Sequence, residues 1–239
     1  MTDATVGKLK EWAQTYNDPK YFSEDPIIFP KHFSLLLKEG KAVLQDIEIA
    51  GIFAAHFAWG RRAMIVRDTR RLLDEMDWHP YDYVMRGRWR SDEASAHRTV
   101  KWSEVAMICQ RLKAFYESCG SLEKLGQDAV RTGVFGQKSD LKAPNKKINM
   151  LRRWLARDDG KVDLGVWKNT DPADLLIPLD VHVARMAVEV GLSEGKHKDI
   201  REVEAITSAF REIFPGDPCL GDFSLFGYGV THQSLTKDK

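Results

Sequence analysis

From Gln45 to Gly60 the chain reads QDIEIAGIFAAHFAWG, apolar on nearly every side of a helical period. A helix of that kind has no polar face to offer water, so other elements must surround it. Gly51, Ala54 and Ala55 permit close approach beside Ile49, Phe53, Phe57 and Trp59. Elsewhere helical spacing dominates, and strict apolar alternation never runs longer than five residues. The expected fold class is all-α, packed around one buried central helix.

Residues 1–17 predict a first helix. NDPKYFSEDPIIFPKHF, 17–33, predicts a loop, because each of its three prolines biases its predecessor out of the α region. RRAMIVRDTRRLLDEMD, 61–77, predicts a helix with Met64, Ile65, Leu72, Leu73 and Met76 on one face and arginines on the other. DWHPYDYVMRGRWRSD, 77–92, reads as an aromatic, basic connector. WSEVAMICQRLKAFYESCG predicts a helix with Ser103 as its cap and Gly120 as its stop. Repeats and low-complexity tracts are absent, which argues against a solenoid or a disordered tail.

The 239 residues are 43% hydrophobic and 30% charged, enough to bury a core without staples. No stretch approaches the roughly 20 apolar residues of a membrane span. MTDATVGKLKEWAQTY lacks an apolar export segment, so the expected location is cytoplasmic, with no membrane partner. Cys109, Cys119 and Cys219 are too few for an iron-sulfur cluster or an all-cysteine zinc site, and reduced structural thiols are expected. The net charge of +1 is unevenly spread: Arg131 to Lys168 holds ten Lys or Arg against four Asp, a local +6 that leaves −5 elsewhere. A second run, RRAMIVRDTRR at 61–71, sets five Arg against Asp68. A polyanion-binding face and an ordinary solvated helix face both fit this pattern.

KAPNKKINMLRRWLARDDG, 142–160, predicts a helix started by Pro144 and Asn145 and stopped by Gly160, with Ile148, Leu151, Trp154 and Leu155 as its apolar stripe. Lys146 and Lys147 fall in the first turn, where the macrodipole disfavours a cation by roughly 0.3–1 kcal/mol, while Arg152, Arg153 and Arg157 lie nearer the favourable end. One reading is amine activation, since the helix end and the neighbouring ammonium both favour the neutral nucleophile. At about 1.36 kcal/mol per pKa unit the dipole alone supplies less than one unit, so burial must supply the rest. The other reading is that both lysines contact solvent or phosphate.

In LLIPLDVHVARMAVEVGL, 175–192, Pro178 ends an apolar run, Asp180 is a natural N-cap, Val181 to Val190 form an apolar-faced helix and Gly191 ends it. Amide hydrogen bonds keep a capping carboxylate ionised. Such a charge also suits stabilising a developing cation or orienting a water, so cap and chemistry both stay open. His182 is expected to be a structural histidine, because side chains at i and i+2 diverge on a helix. No HExxH or CxxC accompanies it, so neither a metal nor a cofactor is expected.

With Lys146, Lys147 and Asp180 identified, the string Leu179-Asp180-Val181-His182-Val183-Ala184-Arg185 resembles the segment that carries the catalytic aspartate in the helix-hairpin-helix DNA glycosylase superfamily, typically Val-Asp-Thr-His-Val followed by Arg. DPIIFP (25–30), QDIEIAGIFAAHFAWGRR (45–62), HPYDYV (79–84), NKKINMLRRWLARDDG (145–160), DLGVWK (163–168), LIPLDVHVARMA (176–187) and DFSLFGYG (222–229) resemble an uncharacterised bacterial family placed in that superfamily. The 34-residue spacing from Lys146 to Asp180 looks most like the archaeal 8-oxoguanine glycosylases.

The resemblance implies an all-helical, two-lobed fold with a central cleft. Residues 1–239 would form one unit in which the N- and C-terminal segments share a lobe and the middle forms the other. It implies double-stranded DNA as the partner, with no obligate protein partner, and a repair glycosylase, with or without lyase activity, that flips an oxidised purine from the stack. Lys146 would attack the sugar C1′, with Lys147 as substitute, and Asp180 would stabilise the oxocarbenium-like charge. Arg131, Lys138, Lys142 and Arg185 would hold phosphates. Trp154, Trp167 and Phe226 are candidates to stack on the everted base, or else are core. The sequence departs from the pattern in two places. RTGVFGQKSD (131–140) is at best a degenerate form of the Leu-Pro-Gly-Val-Gly hairpin, and the cluster cysteines of the endonuclease III branch are missing. A non-catalytic nucleic-acid-binding protein on the same scaffold, or a relic of the fold binding another ligand, are the rival readings.

Overall fold

The computed structural model describes residues 1–236, with side chains described as far as Tyr228. In chain order the elements are α1 (Asp3–Tyr16), α2 (Ile28–Lys38), α3 (Leu44–Phe57), α4 (Arg62–Glu75), α5 (Pro80–Arg86), a hairpin of β1 (Ser95–His97) and β2 (Val100–Lys101), α6 (Trp102–Tyr116), α7 (Gln127–Ala129), α8 (Lys146–Ala156), α9 (Val181–Glu189), α10 (Ile200–Ile213) and α11 (Leu220–Thr236). Helix accounts for 60% of the chain and the hairpin is the only sheet among the described residues, which makes the class all-α. None of these helices is long and apolar enough to cross a membrane. Two compact units emerge, Met1–Tyr21 with Asp140–Lys239, and Phe22–Ser139.

In the unit Phe22–Ser139, α3 is the hub: α2, α4 and α5 pack on it, and every residue from Ile47 to Phe57 is buried. This follows from a helix with no polar face. Its buried acid, Glu48, is fully sealed from solvent and accepts hydrogen bonds from Tyr116 Oη at 2.8 Å, Ser121 Oγ at 2.6 Å and the Leu122 amide at 3.0 Å. The carboxylate thereby ties the turn after α6 to the central helix. Burial pushes the Tyr116 hydroxyl well up, with the Glu48 charge adding to it, so the phenol stays protonated and remains the donor.

Several expected boundaries shift in this unit. The stretch 17–33 is not a loop throughout, because α2 begins at Ile28 with Pro30 in its first turn. Backbone N–H groups there have no intrahelical acceptor, so proline is tolerated. The 77–92 connector contains α5, which Pro80 opens and Gly87 closes at φ 72°. Lys101, rather than Ser103, is the N-cap of α6, and Glu104 Oε1 accepts its amide at 3.3 Å; the helix ends at Tyr116, before Gly120. On α4, Ile65, Leu72 and Leu73 point inward as expected, and so does Asp68. Its Oδ2 lies 2.8 Å from His97 Nδ1, while His97 Nε2 lies 3.1 Å from the Trp59 carbonyl.

In the other unit α1 packs along α11, with Leu9 and Ala13 facing a helix that buries Phe223 and Leu225. Ser224 Oγ donates to the Leu9 carbonyl at 2.7 Å. At Gly221 a Cβ would come within 2.3 Å of the Phe210 ring, so α11 starts against α10 only because that residue has no side chain. Cys109 and Cys219 are buried and burial pushes both thiols up, which keeps them inert, whereas Cys119 is exposed.

Glu48→Ala strands the Leu122 amide and two hydroxyls in the core. At about 1–3 kcal/mol for each buried donor left without an acceptor, it is expected to lower stability by about 2–5 kcal/mol, read from the urea midpoint at constant m value. Glu48→Gln, which keeps the shape and some acceptors, should lose less.

Candidate active site

Helix α8 is amphipathic in an unusual sense, because it buries both an apolar and a polar stripe. Ile148, Leu151, Trp154 and Leu155 form the apolar one, as expected. Lys146, Asn149, Arg153 and Arg157 follow one another at intervals of three, four and four residues and so share a face. Three of these are nearly sealed from solvent: Asn149 is 1% exposed, Arg153 5% and Arg157 3%. Asn145 occupies the N-cap position in a left-handed conformation, φ 46°, and makes no side-chain cap bond. The helix ends at Ala156, four residues before Gly160, because Arg157 is extended and the returning loop caps it. The amides of Leu164 and Trp167 bond the carbonyls of Trp154 and Leu155, each at 2.8 Å.

At the start of this stripe, Lys146 Nζ lies 3.2 Å from Asp180 Oδ2. Both side chains are about one-third exposed, 35% and 33%. Asp180 is at the same time the N-cap of α9, its Oδ1 accepting the amides of His182 and Val183 at 2.9 Å each. One oxygen caps the helix and the other faces the lysine. Burial pushes the Asp180 carboxyl up, but the amide bonds and the Lys146 charge outweigh it and hold it below the ordinary 3.8. The carboxylate is therefore ionised at neutral pH.

The segment leading to Asp180 is gripped from both sides. Thr207 Oγ1, on α10, accepts the Ile177 amide at 3.3 Å, and Asn149 Nδ2, on α8, donates to the Ile177 carbonyl at 3.4 Å and to that of Pro144 at 3.1 Å. Asn149 Oδ1 is buried without a partner. Asn149 and Thr207 thus set the distance between the first turn of α8 and the residue that caps α9. Sequence reading singled out neither, although Asn149 sits one helical turn from Lys146.

Below this lies a buried ionic cluster. Arg153 pairs with Asp163 at 3.3 Å and with Asp222, and Arg157 pairs with Asp163 at 2.9 Å, Asp217 at 2.8 Å and Asp159. Phe223 lies under both guanidinium groups, 4.8 and 5.1 Å from its ring centre. Burial opposes the charge on both arginines, but the surrounding carboxylates raise their pKa further. Burial pushes the Asp222 carboxyl up to about 6, Arg153 pulling it down and the charges of Asp180 and Asp163 adding to the rise. The excess positive charge of 131–168 is to this extent internal. Acids at 158, 159 and 163 just past the helix were the available signal.

Other expected site residues are placed differently. Trp154 and Trp167 are 1% and 2% exposed, packed as core, and a base cannot stack on a covered ring; their expected pocket role is corrected. Phe226 is half-buried in an edge-on cluster with Tyr16 at 5.7 Å and Tyr21 at 6.3 Å. Arg185 is exposed on α9, 3.6 Å from Glu189. Lys142 is exposed, its carbonyl held by the Ile200 amide at 2.8 Å. In the other unit, Arg131 donates to the Lys138 carbonyl at 2.8 Å, and Lys138 is exposed. RTGVFGQKSD runs from α7 through one π turn, Val130–Val134. The amides of Phe135, Gly136 and Gln137 bond the carbonyls of Val130, Thr132 and Arg131 at 3.0–3.1 Å, so they are already engaged and form no phosphate cradle. Among the described residues, no three His, Cys, Asp or Glu side chains group so as to hold a metal.

A family model described as "Protein of unknown function (DUF2400)" matches residues 25–141 and 127–231. The chain belongs to this family. No curated protein and no solved structure matches it. The second DUF2400 segment contains the whole stripe of α8, Asp180 and Asp222, and the first contains α3 and α4.

The acids of this unit separate by pH. Asp222, raised from 3.8 to about 6, binds its proton more tightly in the fold than in the unfolded chain, so its contribution to stability is full below pH 3.8 and lost as pH rises to about 6. Asp180 and Asp159, held below 3.8, act in the opposite sense, losing their contribution as pH falls through their lowered values. Asp163, which burial also pushes up, acts in the same sense as Asp222; urea unfolding across this range should show stability declining between pH 4 and 6, and Asp222→Asn should make that decline shallower while leaving the acid limb in place.

Proposed function

We propose that this chain is a DNA repair glycosylase of the helix-hairpin-helix superfamily, with a nucleophilic lysine and an oxidised purine as its target base. The finer fold assignment, a two-lobed glycosylase fold, is part of the same proposal. The observation that carries it is the 3.2 Å approach of Lys146 Nζ to Asp180 Oδ2. Two groups 34 residues apart are brought together at the starts of two helices, in the roles the resemblance implies.

In the proposed reaction the target nucleotide leaves the stack, because its C1′ is inaccessible inside a duplex. Lys146, once its ammonium has given a proton to solvent, bonds C1′ through its Nζ lone pair. The glycosidic C–N bond breaks, its electron pair leaves with the base, and a proton from Nζ goes to that base. The sugar ring then opens to a Schiff base. Asp180, ionised and fixed by two amides, stabilises the cationic charge that develops at the sugar. Partial exposure of the pair leaves it open to a substrate.

The rival reading is a nucleic-acid-binding protein without catalysis; the engaged amides at Phe135, Gly136 and Gln137 remove one expected phosphate anchor from both readings. Borohydride trapping on duplexes carrying 8-oxoguanine, uracil or an abasic site separates the two. A covalent adduct is expected with at least one of them, and Lys146→Ala should abolish it. Asp180→Asn should slow base release on the order of 100-fold with DNA binding retained, and should lower stability by less than about 1 kcal/mol, because asparagine caps a helix about as well as aspartate. Salt-sensitive binding with no adduct on any duplex would establish the rival instead.

A further inference from the structure

The arginine run of α4 takes no part in the chemistry proposed for the other unit. Arg61, Arg62, Arg67, Arg70 and Arg71 are all exposed, as is Arg98 at the tip of the hairpin. The one acid within the run, Asp68, is turned inward, where His97 holds it at 2.8 Å and both are buried. Arg67 and Arg71 reach it from outside, at 2.8 and 3.8 Å. Among the described residues, no carboxylate lies within 4.0 Å of Arg61, Arg62, Arg70 or Arg98. An ordinary solvated helix intersperses acids one turn away to offset its basic residues; within 61–71 that acid is withdrawn into the core, and Asp74, one turn beyond Arg70, instead accepts from Trp78 Nε1 at 2.8 Å.

Arg98 is also pre-placed. Its backbone sits at φ 52°, uncommon for a residue with a side chain, and its guanidinium lies 4.3 Å from the ring centre of the half-exposed Trp59, against the Gly60 backbone. Stacking fixes the plane of the group and leaves N–H edges to meet an anion. From Arg62 to Arg70 the helix advances roughly 12 Å at about 1.5 Å per residue. That is the rise of three to four base pairs at about 3.4 Å each.

We propose that this arginine face of the Phe22–Ser139 unit is a docking surface for the phosphate backbone of duplex DNA, independent of base identity. Guanidinium groups match phosphate oxygens in a bidentate fork. An anionic membrane is the poorer fit, because a helix that lies on lipid exposes an apolar face, whereas Ile65, Leu72 and Leu73 of α4 are buried.

The test is fluorescence anisotropy on a short undamaged duplex over a series of salt concentrations, with anionic vesicles of phosphatidylcholine and phosphatidylserine as the second arm. Each phosphate neutralised contributes about 0.9 to the slope of log affinity against log salt. Arg61→Gln/Arg62→Gln/Arg98→Gln should reduce that slope by about 2–3 and weaken binding at low salt at least about tenfold. The matching Arg→Lys triple, which keeps the charges, should retain most of the slope. Arg62→Gln and Arg98→Gln singly should each remove about one unit of slope, so a triple variant that melts early does not leave the question open. An unchanged slope in these variants, or a loss confined to vesicle binding, overturns the proposal. Its failure is distinct from that of the catalytic reading, since Lys146→Ala should leave the slope intact while abolishing any trapped adduct.

Discussion

Two guanidinium groups on one helix, sealed from water, are the constraint on which the rest of the larger unit depends. A buried charge is tolerated only when partners satisfy it, and losing one partner typically costs about 3–5 kcal/mol. Arg153 and Arg157 recruit theirs from three separate places: Asp159 and Asp163 in the loop just after α8, Asp217 ahead of α11, and Asp222 within it. The unit closes only when all three segments arrive. Phe223, beneath both guanidiniums, adds an apolar floor that belongs to the same helix as Asp222.

That closure positions the pair at the other end of the helix. Once α8 is held by its arginines, Asn149 carries its position one turn forward to the Ile177 carbonyl, and Thr207 holds the amide of the same residue. Asp180 follows three residues later. Its two oxygens divide the work, one bonding the amides of α9 and the other facing Lys146. A cap and a reactive-site carboxylate are thus compatible in one residue, because a carboxylate accepts along two directions and the helix uses one.

The two basic runs have opposite fates although they look alike as strings. In 131–168 two of the ten positive residues are drawn inside and neutralised, and the surface that remains is less suited to a polyanion than its charge count implies. In 61–71 the single acid is drawn inside and the five arginines stay out, which leaves the positive charge at the surface. Which member of a mixed-charge run is buried decides whether the run serves stability or recognition.

Helix class and the buried α3 were legible in the chain itself, because an apolar pattern with no polar face permits one kind of environment. Asp180 as a cap was legible because the amides that donate to it lie two and three residues away. Pro30 misled because a proline's effect depends on whether it falls inside a helix or in its first turn. The stacking roles expected of Trp154 and Trp167 failed because a tryptophan's neighbours, not its spacing, determine whether its face is open. What the sequence determined by itself was therefore local: periodicity, caps and the apolar stripe of α8. The 3.2 Å meeting of Lys146 with Asp180, the burial of Arg153 and Arg157, and the inward turn of Asp68 were decided only in three dimensions. Each depends on a partner more than a few residues away, and charge pairing at that range leaves no periodic trace in the chain.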